Sequence, residues 1–118
     1  MTKRKLAYGY LTPRAYLIGK GWELGLAKEN HPSSIDINLI VVTADRLLED
    51  AGLGDPRQAR RCLVFTSKER TEMSHAHVLA TNDREDELPL QPPDLEVIER
   101  LKNVLGVSYG PRWWIYAS

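Results

Sequence analysis

Between Ser34 and Ala51 the apolar residues Ile37, Ile40, Val41, Ala44, Leu47, Leu48 and Ala51 recur at three- and four-residue spacing. That is the period of a helix with one buried face. Ser33 or Ser34 can cap its start. Asp36 lies three residues after Ser33, where a capping-box carboxylate belongs, and Gly52 comes after Ala51, where a left-handed C-cap belongs. The β-branched residues from Ile35 to Thr43 also admit a strand followed by a shorter helix. The seven matched helical positions decide for the helix. A second stripe, Leu95, Ile98, Leu101, Val104 and Leu105, comes after Asp94 as a cap and stops at Gly106, predicting a helix over Leu95 to Leu105.

The remaining segments are less clearly patterned. Thr12-Pro13 reads as an N-cap with proline at the first helical position, opening a helix from Arg14 to Lys28 that ends before Asn30-His31-Pro32. Gly19, Gly21 and Gly25 lie inside it, so either the helix is interrupted or backbone packs closely there. Asp55-Pro56 repeats the signature and opens a helix from Arg57 to Ser67, although its tail, Leu63 to Thr66, also fits a strand. Thr71 to Thr81 matches both periods, with His75 and His77 alternating as in a strand and Met73, Ala76, His77 and Ala80 spaced as in a helix; the helix is preferred. Residues 82–93 are polar and proline-punctuated, predicting an exposed loop. The end, Arg112 to Tyr116, fits a short strand that pairs with Lys5 to Tyr10. The expected fold is therefore mainly α, four to five helices with a small terminal β-ribbon. The alternative is α+β, with the ambiguous segments as strands.

With 118 residues, 42% of them apolar, residues 1–118 make one globular domain able to bury roughly two-thirds of its unfolded surface. The 16 basic and 16 acidic residues cancel, which removes the average electrostatic case for binding nucleic acid or an anionic membrane. The single cysteine, Cys62, cannot close an intramolecular disulfide and points to a reducing compartment. The charged start Met1 to Lys5 resembles the head of a signal peptide, but Gly9, Thr12, Pro13 and Arg14 interrupt the next residues before a long apolar run can form. A cytoplasmic protein, or a nuclear one, is expected, with no membrane partner.

Candidate chemistry is sparse. His75 and His77, with Cys62 and His31, are the only conceivable transition-metal set, and the two histidines share a face only in a strand. Gly19-Lys20-Gly21 lacks the length of a phosphate loop, and the acids Asp83 to Glu87 lack the turn of a calcium loop. No metal or cofactor is expected. Cys62 reads as an inert core residue rather than a nucleophile. The segment Leu47 to Leu63 resembles a helix-turn-helix whose second helix would expose Arg57, Gln58, Arg60 and Arg61 to DNA, but Glu49, Asp50 and Asp55 flank the turn and Pro56 starts that helix.

The aromatic residues gather at the two ends of the chain. If those ends meet, Tyr8, Tyr10, Tyr16, Trp22, Tyr109, Trp113, Trp114 and Tyr116 form one face edged by Arg14 and Arg112, and adjacent Trp113 and Trp114 must point to opposite sides of a strand. The favoured reading is a protein-interaction module that associates with itself through this terminal aromatic face. A second is a small enzyme or ligand-binding domain with a Tyr/Trp/Arg pocket, where Arg14 or Arg112 holds an anionic group and His31 or an acid moves a proton. DNA binding through Arg57 to Arg61 is a third.

Overall fold

The computed structural model describes residues 4–27 and 35–117, with Ile35 and Asp36 described by backbone alone. His31, Ser33, Ser34 and the Asp36 side chain lie outside the described residues, whereas the helix expected from Arg14 to Lys28 ends at Glu23, with Gly25 in a left-handed conformation (φ 72°) just after it. Those residues form β1 (Leu6–Leu11), α1 (Arg14–Glu23), α2 (Ile35–Asp50), β2 (Arg60–Phe65), β3 (Met73–Thr81), α3 (Leu95–Leu105) and β4 (Arg112–Tyr116). The four strands pair antiparallel throughout and close into a barrel in the order β1-β3-β2-β4.

A mainly α fold of four to five helices is thereby overturned. The stretches Arg57 to Ser67 and Thr71 to Thr81 contain strands, paired from Arg60↔Val78 to Phe65↔Met73. Each matched both periods locally, and the pairing of one with the other decides between them, because strands satisfy their backbone groups only across the ladder. The ambiguous segments are strands, as the alternative had them, but the sheet closes on itself. Both terminal segments are strands as expected, paired from Leu6↔Ile115 to Gly9↔Arg112.

Strand alternation divides the side chains between two cores. One face of the ladder carries Ala7 and Gly9 of β1, Cys62 and Val64 of β2, and Ala76 and Val78 of β3. Five of them form, with Leu88, the buried filling of the barrel, against which Leu11, Trp114 and Tyr116 pack. A four-stranded barrel is narrow, so its interior accepts mostly small side chains. Gly9 is the limiting case: a Cβ there would lie 2.0 Å from the His77 carbonyl oxygen. Just beside it the register slips, since Tyr8 faces Ala80 and Gly9 faces Val78. Leu79, the residue passed over, is fully buried in the second core, with Tyr10, Leu17, Ile40, Ala44, Leu47, Leu101 and Leu105. The helices thus cover the outer face of β1 and β3, and β3 is buried on both sides from Ala76 to Thr81.

Polar side chains fix the helices to the barrel. Thr12 does not cap α1: its hydroxyl is buried and donates to His77 Nδ1 at 2.9 Å, and the helix starts at Arg14 without a side-chain cap. His77 Nε2 donates to the Ala44 carbonyl of α2 at 3.0 Å. These partners require the neutral ring protonated on Nε2. Burial, opposed by the Ala44 carbonyl and reinforced by Arg61 and His75, pushes its pKa down to about 4. Tyr10 and Tyr16 donate to the carbonyls of Ile98 and Leu105, joining β1 and α1 to α3. Gly52 and Gly106 take left-handed conformations after α2 and α3, with φ of 75° and 67°, as expected from their positions.

Candidate functional site

Because β1 and β2 run opposite to β3 and β4, the barrel has two chemically different ends. One gathers the starts of β1 and β2 with the ends of β3 and β4, and it is closed by charge. The Asp86 carboxylate, its side chain 3% exposed, accepts from the Arg60 guanidinium and lies 3.4 Å from Lys5 Nζ, which also reaches Asp83 at 3.5 Å. Arg60 donates to the Tyr116 hydroxyl at 3.3 Å, and that hydroxyl donates to Cys62 Sγ at 3.1 Å. Lys5 also stands over the Tyr116 ring, 4.2 Å from its centre. Burial alone raises the Asp86 pKa, but the Leu88 amide, Arg60 and Lys5 outweigh it and hold the carboxyl below its ordinary value. The loop expected to be exposed throughout is therefore anchored in part. Leu88 plugs the barrel, and the Thr81 amide bonds the Pro89 carbonyl at 2.9 Å.

The opposite end is open and mostly apolar. The β2–β4 ladder consists of two pairs, Val64↔Tyr116 and Phe65↔Ile115, so the seam parts before Trp114. Two hollows flank Leu11 and Pro13 there. One, of about 320 Å³, is walled by Trp114, Tyr109, Gly110, Gly9 and Arg112. The other, of about 490 Å³, is walled by Arg14, Leu63, Thr66, Met73, Ser74 and His75. Both fall in the size range of small-ligand sites, which the mouths of β-barrels commonly provide. The Trp114 indole N–H donates to the Gly9 carbonyl at 3.2 Å and the Tyr109 hydroxyl to the Leu11 carbonyl at 2.9 Å, so β1 pins both aromatic walls. Arg112 stands over the Trp114 ring at 5.4 Å. His75, in the wall of the second hollow, accepts at Nδ1 from Arg61 at 3.0 Å. Burial first, then the positive charges of Arg61 and Arg14, lowers the His75 pKa.

Outside the barrel, the registers align one apolar row across all four strands. Met73 faces Phe65, Phe65 faces Ile115 and Ile115 faces Leu6. Met73 is 58% exposed and the other three half-buried. Trp113 is the next outward residue on β4; it is 43% exposed and its ring lies 5.1 Å from that of Tyr8.

The terminal aromatic residues do come together, but on three surfaces. Trp113 faces outward, Tyr8 lies between it and the helical core, Trp114 and Tyr116 pack into the barrel, and Tyr10 is fully buried in the helical core. Adjacent tryptophans on opposite faces are what strand geometry requires. Trp22 is exposed on α1, outside the strand pair, and Arg14 at the start of α1 lines the second hollow. The helix-turn-helix frame is absent, because 57–67 holds a turn and β2 rather than a helix. Arg57 in that turn is paired with Asp55, Gln58 is exposed, Arg60 is held by Asp86 and Arg61 by His75. His75 and His77 do share a strand face, but no group of three or more His, Cys, Asp or Glu among the described residues is placed to hold a metal. Cys62 is buried as expected, on a strand rather than a helix. Leu6, Phe65, Met73, Ile115 and Asp86 carry no distinguishing signal in the sequence, because their roles depend on tertiary contacts, whereas Tyr109 belongs to the terminal aromatic set.

No protein-family model, curated protein or solved structure matches the chain. No helix among the described residues is long and apolar enough to cross a membrane.

Proposed function

We propose that this protein is a non-enzymatic interaction module that associates with a second copy of itself through the outer face of the barrel. The observation that carries this reading is the row Met73, Phe65, Ile115 and Leu6, continued by Trp113, on the outer surface of the barrel. Single exposed apolar residues are ordinary, whereas a contiguous patch marks a contact surface. Large rigid side chains such as Trp113 bury much area at low entropic cost. The net charge of zero leaves two copies with no overall repulsion to overcome. A reducing, cytoplasmic setting accords with the buried free thiol of Cys62.

Sedimentation velocity over a wide concentration range tests this directly. The expected result is a reversible shift from monomer to dimer, moved to higher concentration by Trp113→Ser and by Met73→Ser while α-helical content and melting are kept. A chain that stays monomeric at every concentration, or dimers indifferent to both substitutions, refutes it.

A further inference from the structure

The geometry points to a ligand site at the open mouth of the barrel, separate from the self-association face: the Trp114–Tyr109 hollow takes a small organic anion with a flat, apolar body, its charge held by Arg112. Three observations converge on this. The hollow is preformed, because the polar atoms of both aromatic walls are already bonded to β1 carbonyls, Trp114 to Gly9 and Tyr109 to Leu11. Their faces are left for apolar contact, and walls held before binding lose little freedom when a ligand arrives.

Charge complementarity selects the sign of the ligand. Among the described residues Arg112 is the one charged residue lining this hollow, and no acidic residue lines either hollow at the mouth. Arg112 makes no ion pair among the described residues and stacks on the Trp114 ring. A guanidinium stacked on an indole keeps its edge donors available, and that planar fork matches a carboxylate or sulfonate. A flat body fits beside the two rings, which prefer offset or tilted aromatic neighbours. At about 320 Å³ the space suits a ligand of one or two fused rings, not a folded segment of another protein. Trp113 faces outward, so an occupant of this hollow does not compete for the same side chain.

The test uses the full chain and two dyes of nearly the same shape, 1-anilinonaphthalene-8-sulfonate and its uncharged relative N-phenyl-1-naphthylamine, titrated by fluorescence. The expected result is saturable binding of the sulfonate at one site per chain. Arg112→Gln weakens it about tenfold or more, the scale of one lost charge-assisted hydrogen bond, and leaves the neutral dye unchanged. Gly110→Leu fills the hollow and weakens both dyes; a Cβ at Gly110 meets nothing within 4 Å, so the fold tolerates the change. Arg57→Gln, a charge lost elsewhere on the surface, has no effect. The inference is overturned if the sulfonate does not saturate, if Arg112→Gln affects both dyes alike or neither, or if Trp113→Ser rather than Gly110→Leu removes binding. A monomeric chain that still binds the sulfonate in this way would refute self-association and leave the ligand site standing.

Discussion

Three glycines in one chain should respond to the same substitution with opposite signs, because tertiary contacts rather than backbone propensity decide the outcome. At Gly9 an added methyl lies 2.0 Å from the His77 carbonyl oxygen and 2.8 Å from both His77 C and Val78 Cα, all backbone of β3. Real Cβ contacts essentially never fall below 3.0 Å, so β1 and β3 must separate locally by at least 1 Å. A ladder bond stretched that far passes beyond hydrogen-bond range. Each bond lost forfeits about 1 kcal/mol and strands a buried group at about 1–3 kcal/mol more, so Gly9→Ala should cost about 4 kcal/mol or more. At Gly21 the methyl meets side chains instead, Leu39 Cδ1 at 2.5 Å and Thr43 Oγ1 at 2.6 Å. Overpacking of about 1–3 kcal/mol, offset by better helix propensity, leaves a net loss of about 1–2 kcal/mol. At Gly19, on the same helix, nothing lies within 4 Å, so Gly19→Ala should stabilise by about 0.5–1 kcal/mol. Urea unfolding followed by tryptophan fluorescence and circular dichroism, with m-values compared, reads all three. A Gly9→Ala protein within about 0.5 kcal/mol of the parent, or one more stable than Gly21→Ala, would show that the barrel is not closed as tightly as this register requires.

Other consequences concern the buried charges. Asp86→Asn keeps an oxygen for the Leu88 amide but leaves Arg60 and Lys5 without their carboxylate, and should cost about 1–2 kcal/mol given that both cations are partly solvated. Because the folded Asp86 pKa lies below its unfolded value of about 4, its contribution is present above that pH and is lost as pH falls through the lower folded value. Unfolding curves in acid should therefore converge for parent and variant. His77 acts in a higher window. Its folded pKa is about 4, so the stabilisation is complete above the unfolded value of about 6.5 and drains away as pH drops from there towards 4. NMR titration should find the His77 ring signals unmoved between neutrality and about pH 5; a midpoint near 6.5 would contradict its burial between Thr12 and Ala44.

The elements legible from sequence alone are those whose pattern is periodic and, for the two long helices, stopped by a left-handed glycine, although Asp94 makes no side-chain cap bond. The helix Leu95–Leu105 has the bounds expected of it, α2 lies within the stretch from Ser34 to Ala51, and the two terminal strands lie within a residue of their expected ends. Sequence also placed Trp113 and Trp114 on opposite faces, since a strand leaves no alternative. The identity of β2 and β3 could not be read locally. Small inward residues such as Ala7, Gly9, Cys62 and Ala76 carry little hydrophobic signal, yet the narrow interior of four closed strands needs them beside Val64, Val78 and Leu88. The site residues divide in the same way. Arg112 and Trp114 were legible as an arginine beside an aromatic pair, and Tyr109 as one of the terminal aromatic residues, while Asp86 and Met73 gained their places from tertiary contacts, Asp86 reaching Arg60 across 26 residues of chain. Pairing across the barrel decided which segments are strands, which end is sealed by charge and which stays open, because a ladder is stable only when its partner is present and a local period cannot name the partner.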